Sequence, residues 1–216
     1  MNLIAKLRQA VPDASIDDAT LTRAIYSTDA SLYRIPPQAV SRPSTGEELS
    51  DVVAAALKIG LPVTMRGAGT SCAGNAVGPG LVIDTRDLNG IGELDVAARE
   101  VVVEPGVVQA DLQEAVAGAG LRYGPDPSTY TRCTIGGMIG NNACGPRAMG
   151  YGRSADTVRR LNVIAGTGES FEVGSGAHRL ERETLALARQ NADLIRREFG
   201  HFSRQVSGYS LEHLLP

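Results

Sequence analysis

Apolar residues recur along the chain with two distinct periods, and each period predicts its own kind of element. Leu3, Ile4, Leu7 and Val11 fall at i, i+1, i+4 and i+8, and a second stretch from Asp18 to Tyr26 starts on an acidic residue, so residues 1–26 read as helical. Pro36, Pro37 and Pro43 then bracket Ala39-Val40-Ser41, which leaves that run only an extended connector or a short strand. Ser44 or Thr45 can cap a helix that carries Glu47 and Glu48 in its first turn and Leu49, Val52, Val53, Ala56 and Leu57 on one face, ending at Gly60. Pro62-Val63-Thr64-Met65 predicts a buried strand, followed by strands at Leu81–Asp84 and at Glu100–Glu104, the latter stopped by Pro105-Gly106.

Val107 to Ala119 predicts a helix with Leu112, Val116 and Ala119 inward, closed by Gly118 and Gly120. From Tyr123 to Tyr151 the pattern is irregular and rich in Gly and Pro, although it contains the apolar run Ile135–Ile139. Val158–Ala165 returns as a strand, Gly166-Thr167-Gly168-Glu169 makes a hairpin turn, and Ser170–Val173 pairs back. A last long helix is expected from Arg182 to Phe199, with a solvated charged face (Arg189, Asp193, Arg196, Arg197, Glu198) and apolar positions Leu185, Leu187, Leu194 and Ile195 that need cover. No linker or repeat interrupts this order, and the class is α+β: a mixed sheet with helices outside it.

Composition narrows the function. A net charge of -3 and a pI near 5.7 argue against nucleic acid as a partner, because backbone binding needs a basic field. The N-terminal residues alternate apolar and charged side chains, with no apolar core of roughly 7 to 15 residues, so neither a signal peptide nor a transmembrane segment is expected and the cytoplasm is the expected location. Cys72, Cys133 and Cys144 are odd in number and lack a Cys-x-x-Cys pair, so they read as packing thiols, and no metal site is expected. Gly, with 25 residues, is the outlier, and it clusters in particular loops.

The first cluster, Arg66-Gly67-Ala68-Gly69-Thr70-Ser71-Cys72-Ala73-Gly74, leaves a strand directly. Residues without a Cβ let successive N–H groups converge on phosphate oxygens. Gly67, Gly69 and Gly74 suit that task, with Arg66 adding charge and Thr70 and Ser71 adding hydroxyls. A Walker loop is excluded by the missing Gly-Lys-Ser/Thr. A Rossmann fingerprint is excluded because position 72 is Cys and no helix follows. Taken alone, the loop also reads as a plain turn between strands. The second cluster combines Pro125-Asp126-Pro127-Ser128, then Cys133-Thr134-Ile135-Gly136-Gly137-Met138-Ile139-Gly140-Asn141-Asn142-Ala143-Cys144-Gly145, then Tyr151-Gly152. Small residues at Gly136 and Gly137 with amides at Asn141 and Asn142 suit a backbone wrapped around a flat polar ligand; the plainer reading is a turn-rich cap over a helix end.

Together these segments resemble the PCMH-type FAD-binding domain of the vanillyl-alcohol oxidase / p-cresol methylhydroxylase superfamily, in the branch of D-lactate dehydrogenases, glycolate oxidase subunits and D-2-hydroxyglutarate dehydrogenases. The resemblance extends over about residues 30–216 and includes Val103-Glu104-Pro105-Gly106-Val107 and Val206-Ser207-Gly208-Tyr209-Ser210-Leu211. With the helical preamble taken as residues 1–30, it implies an FAD-binding domain at 31–216 and oxidation of a small 2-hydroxy acid to the 2-oxo acid. It further implies that Arg66–Gly74 embraces the FAD pyrophosphate. Pro125, Asp126, Ser128, Cys133, Thr134, Gly136, Gly137, Asn141, Asn142, Ala143 and Tyr151 are implied to line the ribityl chain and flavin. Relatives that tether FAD often carry His where Thr70 stands, so non-covalent FAD is expected.

Such enzymes normally continue through a cap domain that recognises the hydroxy acid. The domain is therefore expected to be incomplete at Pro216, with the missing half supplied by further chain or by a partner subunit; a non-catalytic FAD-binding module is the alternative. No catalytic base emerges. His178, His201 and His213 read as surface residues, and Arg34 beside Tyr33 reads equally as a carboxylate contact or a surface ion pair.

Overall fold

The computed structural model describes residues 2–199 and 209–215, so His201 and the Val206-Ser207-Gly208 part of the last motif lie outside the described residues. These residues form two compact units: Met1–Val158 with Ile164–Glu169, and Arg159–Val163 with Ser170–Pro216.

In the first unit, helix α1 (Leu3–Ala10) is capped by the Asn2 side chain, which accepts from Ile4 N–H at 3.1 Å, and it buries Ile4 and Leu7. The stretch read as helical over residues 1–26, with its second part from Asp18 to Tyr26, forms as two helices rather than throughout. Strand β1 (Ile16–Asp17) interrupts it, because the Asp17 carboxylate turns the chain by accepting from Ala19 N–H at 2.8 Å and the Thr22 hydroxyl at 2.5 Å. Only then does α2 (Thr20–Ile25) begin. Strand β2 (Ala39–Ser41) follows, as the proline bracket predicts. Helix α3 (Gly46–Lys58) is capped by Thr45, whose hydroxyl accepts from Glu48 N–H at 3.1 Å while the Glu48 carboxylate accepts from Ser44 N–H at 2.8 Å. It stops before Gly60, whose φ of +71° suits a residue lacking Cβ.

Strands β3 (Val63–Arg66) and β4 (Leu81–Asp84) complete a sheet of order β1-β2-β4-β3. β1 runs antiparallel to β2, whereas β2 and β3 both run parallel to β4, which makes the sheet mixed. Every residue of β4 is buried, which explains its unbroken apolar run Leu81-Val82-Ile83. Ile4, Leu7, Val52, Ala56, Leu61, Leu81 and Ile83 pack as one core, each of the larger side chains contributing about 2 kcal/mol on burial.

The expected strand Glu100–Glu104 is instead a pair of isolated bridges, Ile91 with Val103 and Asp95 with Glu100. Val101 and Val103 face a second core while Val102 is exposed, so the alternation is strand-like although no continuous ladder forms. Helix α4 (Gln109–Ala117) buries Leu112 and Val116 as expected. Ile135–Ile139 lies in a helix, α5 (Ile135–Gly140), inside a stretch read as irregular. Short helices α6 (Ala148–Tyr151) and α7 (Ser154–Thr157) follow.

Strands β5 (Leu161–Ile164) and β6 (Ser170–Val173) make a two-stranded ladder. In the second unit, the expected single helix is two: α8 (Arg179–Gln190) and α9 (Ala192–Glu198). Asn191 breaks it by turning its own amide onto Leu187 O at 2.9 Å. The start moves earlier because His178 caps α8, accepting from Leu180 N–H at 3.3 Å, and stacks on Phe171. Leu187 and Leu194 remain exposed, whereas Ile195 is buried.

Candidate functional site

The β3 strand ends on Arg66 and releases the first glycine cluster from the carboxyl end of the parallel pair β3–β4. The second cluster returns to meet it. Gly67, Ala68, Gly69, Thr70 and Ser71 form one wall of a groove of about 290 Å³, and Cys133, Thr134, Gly137, Asn141 and Ala143 line the other. That volume sits at the lower end of ligand pockets, roughly 300 to 1,000 Å³, so the groove seats part of a dinucleotide rather than enclosing one.

The two walls touch. A Cβ on Gly67 would lie 2.1 Å from Thr134 Oγ1, so only glycine permits this approach. Thr134 is held in place as the N-cap of α5, its hydroxyl accepting from Gly137 N–H at 3.3 Å. Asn75 Nδ2 donates to Asn141 Oδ1 at 3.1 Å, and Asn141 Nδ2 donates in turn to Gly137 O at 3.1 Å. Gly136 packs on Pro105, where a Cβ would come within 2.7 Å of the ring.

The N–H groups of Gly67, Ala68, Gly69, Thr70, Ser71 and Cys72 have no hydrogen-bond partner among the described residues. A run of unpaired main-chain donors in a concave, partly buried loop is a nest for an anion. The residues therefore fit the pyrophosphate of FAD. Among the described residues the groove carries no carboxylate, His, Lys or Arg, and its only ionisable groups are the thiols of Cys72 and Cys133. Burial pushes the Cys133 thiol up and keeps it neutral, whereas Cys72 is exposed on the groove, contrary to its reading as a packing thiol.

Several expected site residues stand outside the groove walls and shape them from behind. Arg66 Nη1 donates to Thr28 O at 2.9 Å and to Ala76 O at 3.1 Å, and its guanidinium stacks over the Tyr26 ring at 5.1 Å. Burial holds the pKa of Arg66 below its ordinary value. Gly74 packs against Tyr33. Pro125 O accepts from the buried Gln109 amide at 2.6 Å, and Asp126 pairs with Arg147 at 3.1 Å. Ser128 is exposed, Asn142 adopts a left-handed φ of +45° and accepts from Ala155 N–H at 3.1 Å, and Tyr151 lies under Arg122. Met65, Asn75, Ala76 and Thr129 line the groove without having been expected to. Asn75 and Thr129 carried a signal, being polar residues one or two positions beyond the cluster edges.

A larger hollow of about 420 Å³ lies elsewhere, against Asp17, Ile25, Tyr26 and Arg42. Its charged groups are already engaged, Asp17 with Thr22 and Arg42 with Asp87 at 2.8 Å, so it offers a ligand little. His178 is spent as a helix cap, His213 is exposed, and Arg34 is exposed without an ion-pair partner among the described residues.

The fold and groove together define a flavin-nucleotide-binding module. The family model described as "FAD binding domain" matches residues 37–174, and the chain belongs to that family, of PCMH type. It is 33% identical over 214 residues to a D-2-hydroxyglutarate dehydrogenase of Pseudomonas putida, an alignment covering 89% of this chain and 21% of the relative. It is 34% identical over 172 residues to glycolate oxidase subunit GlcD of Bacillus subtilis, covering 78% of this chain and 37% of the relative. The chain thus spans only a fifth to two fifths of these relatives.

Among solved structures, an alkyldihydroxyacetonephosphate synthase superposes with a TM-score of 0.70 at 20% identity, over 84% of this chain and 39% of that one. Physcomitrella patens BBE-like 1 superposes at 0.68 and 20% identity, over 80% of this chain and 38% of that one. At that identity the superpositions establish the shared fold. The family match assigns the chain an FAD-binding domain, with FAD as its cofactor. Among the described residues no helix is long and apolar enough to cross a membrane.

Proposed function

We propose that the chain holds FAD non-covalently, with its pyrophosphate on the Gly67–Cys72 amides. In this reading it is the FAD-binding portion of an oxidoreductase that converts a small 2-hydroxy acid, of D-lactate or glycolate type, to the 2-oxo acid. The row of unpaired donors on the wall opposite Thr134 and Asn141 carries the proposal. Flavin held by these residues would supply the hydride-accepting chemistry that oxidation of the hydroxyl-bearing carbon needs.

The chain's own residues do the holding. Main-chain amides bind the anion, Thr134 and Asn141 orient the remainder, and Gly67 lets the two walls close on each other. With no His where Thr70 stands, no tether is proposed. In this reading residues 31–216 belong to the FAD-binding domain, and the three unpaired thiols suit a reducing cytoplasm.

The reaction also needs a base near the substrate hydroxyl and a cation on its carboxylate. The groove contains neither, so we assign both to protein beyond it, either further sequence of a longer protein or a partner subunit. The same observation favours a second reading, a binding module with no activity of its own.

Purified chain mixed with FAD tests the first element. At about 100 times its dissociation constant, FAD should add about 2.7 kcal/mol to the unfolding free energy. Adding D-lactate or glycolate without an electron acceptor to the chain joined to the protein that supplies base and cation separates the two readings: bleaching of bound flavin by the hydroxy acid supports the enzyme, and yellow protein that never bleaches supports the module. Folded protein that stays colourless, with no response of its melting midpoint to FAD, refutes both.

A further inference from the structure

We propose that Arg66 is a positioning residue: it acts on the cofactor by bracing the phosphate-binding loop from beneath, and it does not itself contact phosphate. This rests on the FAD reading of the groove. An arginine at the mouth of a glycine-rich loop is ordinarily read as an anion ligand, since its planar fork matches phosphate. Here one arm of the fork is engaged elsewhere. Nη1 donates to Thr28 O at 2.9 Å and to Ala76 O at 3.1 Å, joining the segment between α2 and β2 to the far end of the loop. The loop folds over what remains, because a Cβ on Gly69 would lie 2.6 Å from Arg66 Nη2.

The brace has a fixed base. The guanidinium rests on the Tyr26 ring at 5.1 Å, and the Tyr26 hydroxyl donates to Asp84 Oδ2 at 2.6 Å. The Asp84 side chain is fully buried and paired with Arg86 at 2.7 Å. Because Arg66 sits opposite Asp84 in the parallel register, strand, ring and guanidinium form one stack beneath the loop. Two further contacts act in the same sense: Ala30 N–H donates to the main-chain Gly69 O at 3.0 Å, and Ala76 N–H donates to the Asp29 side-chain Oδ2 at 3.3 Å. The unpaired amides from Gly67 to Cys72 are thus aimed by groups that lie behind them.

Bracing and direct contact give different responses to substitution. Lysine carries the charge but cannot lie flat on a ring while donating to two separated carbonyls, so it restores a phosphate contact far better than it restores a brace. FAD dissociation constants should be measured for the purified chain at a temperature where circular dichroism shows every variant folded. Arg66→Met and Arg66→Lys should both bind about tenfold more weakly than the parent. The loss should be the same at about 0.05 M and about 0.5 M salt, because no screened charge contact is removed.

Tyr26→Leu keeps the guanidinium and removes its support, and should weaken binding about fivefold, whereas Tyr26→Phe keeps the ring and should stay within about twofold. Lysine rescue to within twofold, or a loss that fades at high salt, overturns the proposal in favour of direct contact. If the Arg66 variants do not fold, parent-like binding by folded Tyr26→Leu overturns it equally. Parent protein that binds no FAD sinks the cofactor reading and this inference with it, whereas a parent that binds, alongside Arg66→Met binding equally well, sinks the inference alone.

Discussion

Asn75 and Asn141, far apart in sequence, meet across the groove through a 3.1 Å hydrogen bond from Nδ2 of the first to Oδ1 of the second. The bond joins the two glycine-rich segments at an exposed position, where a neutral hydrogen bond stabilises by about 0.5 to 1 kcal/mol. Asn141→Ala should therefore lower the stability of the FAD-free protein only by about that amount. With FAD bound the loss should be larger, since the ligand depends on both walls. Urea unfolding with and without FAD measures the difference, and equal losses in the two states would count against a clasp.

A methyl group at Gly67 has nowhere to go, with Thr134 Oγ1 at 2.1 Å. Gly67→Ala should destabilise by about 1 to 3 kcal/mol, the range for overpacking, and should abolish detectable FAD binding. Thr134→Ala alone should cost about 1 kcal/mol through its lost cap on α5. Because it also removes the clashing oxygen, the double variant should be more stable than the sum of the two single losses predicts. Additive losses in a thermal or urea cycle would show that the clash is relieved elsewhere.

Asp84 sets a pH dependence. Burial raises its pKa, but hydrogen bonds from Arg86 and Tyr26 outweigh that and hold the carboxyl below its ordinary value. A carboxyl depressed in the folded state contributes stability that is fully present above the unfolded pKa of about 3.9 and is lost as pH falls through the lower folded value. Asp84→Asn should remove about 2 kcal/mol at neutral pH, the scale of hydrogen bonds to a charged group, since the Arg86 left behind is itself half-exposed. It should also flatten the acid limb of the stability curve below about pH 4. Urea midpoints taken from pH 7 down to pH 3 test both effects.

Cys72 lines the groove and is exposed, Cys133 is buried, and Cys144 is intermediate. In FAD-free protein an alkylating reagent should label Cys72 first, and saturating FAD should slow that labelling about tenfold or more. Peptide mapping of the alkylated chain reads out the order. Labelling of Cys72 at a rate indifferent to FAD would place the ligand away from this loop.

Much of this architecture was legible because local chemistry and tertiary demand agree. Thr45 followed by Glu48 caps a helix whichever way it packs, and Leu81-Val82-Ile83 is too continuously apolar for anything but a buried strand. The misreadings fall where the direction a side chain takes, or its burial, decides. Gly136-Gly137 signals a loop, yet the Thr134 cap and the burial of Ile135 and Met138 make it the first turn of a helix. Asn191 reads as an ordinary polar position inside an amphipathic stretch until its amide turns onto Leu187 O. At the groove, residue types showed which segments were involved. The direction of Arg66 was not legible, because it depends on a ring forty residues earlier that is itself anchored to Asp84.

The two walls differ in how they are tied to the rest of the molecule. None of the loop residues from Gly67 to Cys72 belongs to the core around β4, whereas Cys133 and Met138 belong at once to the groove and to the core of Val107, Leu112 and Val116. Drift in the loop can change what is bound without touching foldability, so that wall is free to diversify. The opposite wall is bound by its packing, and any change there alters the ligand's seat and the molecule's own integrity together.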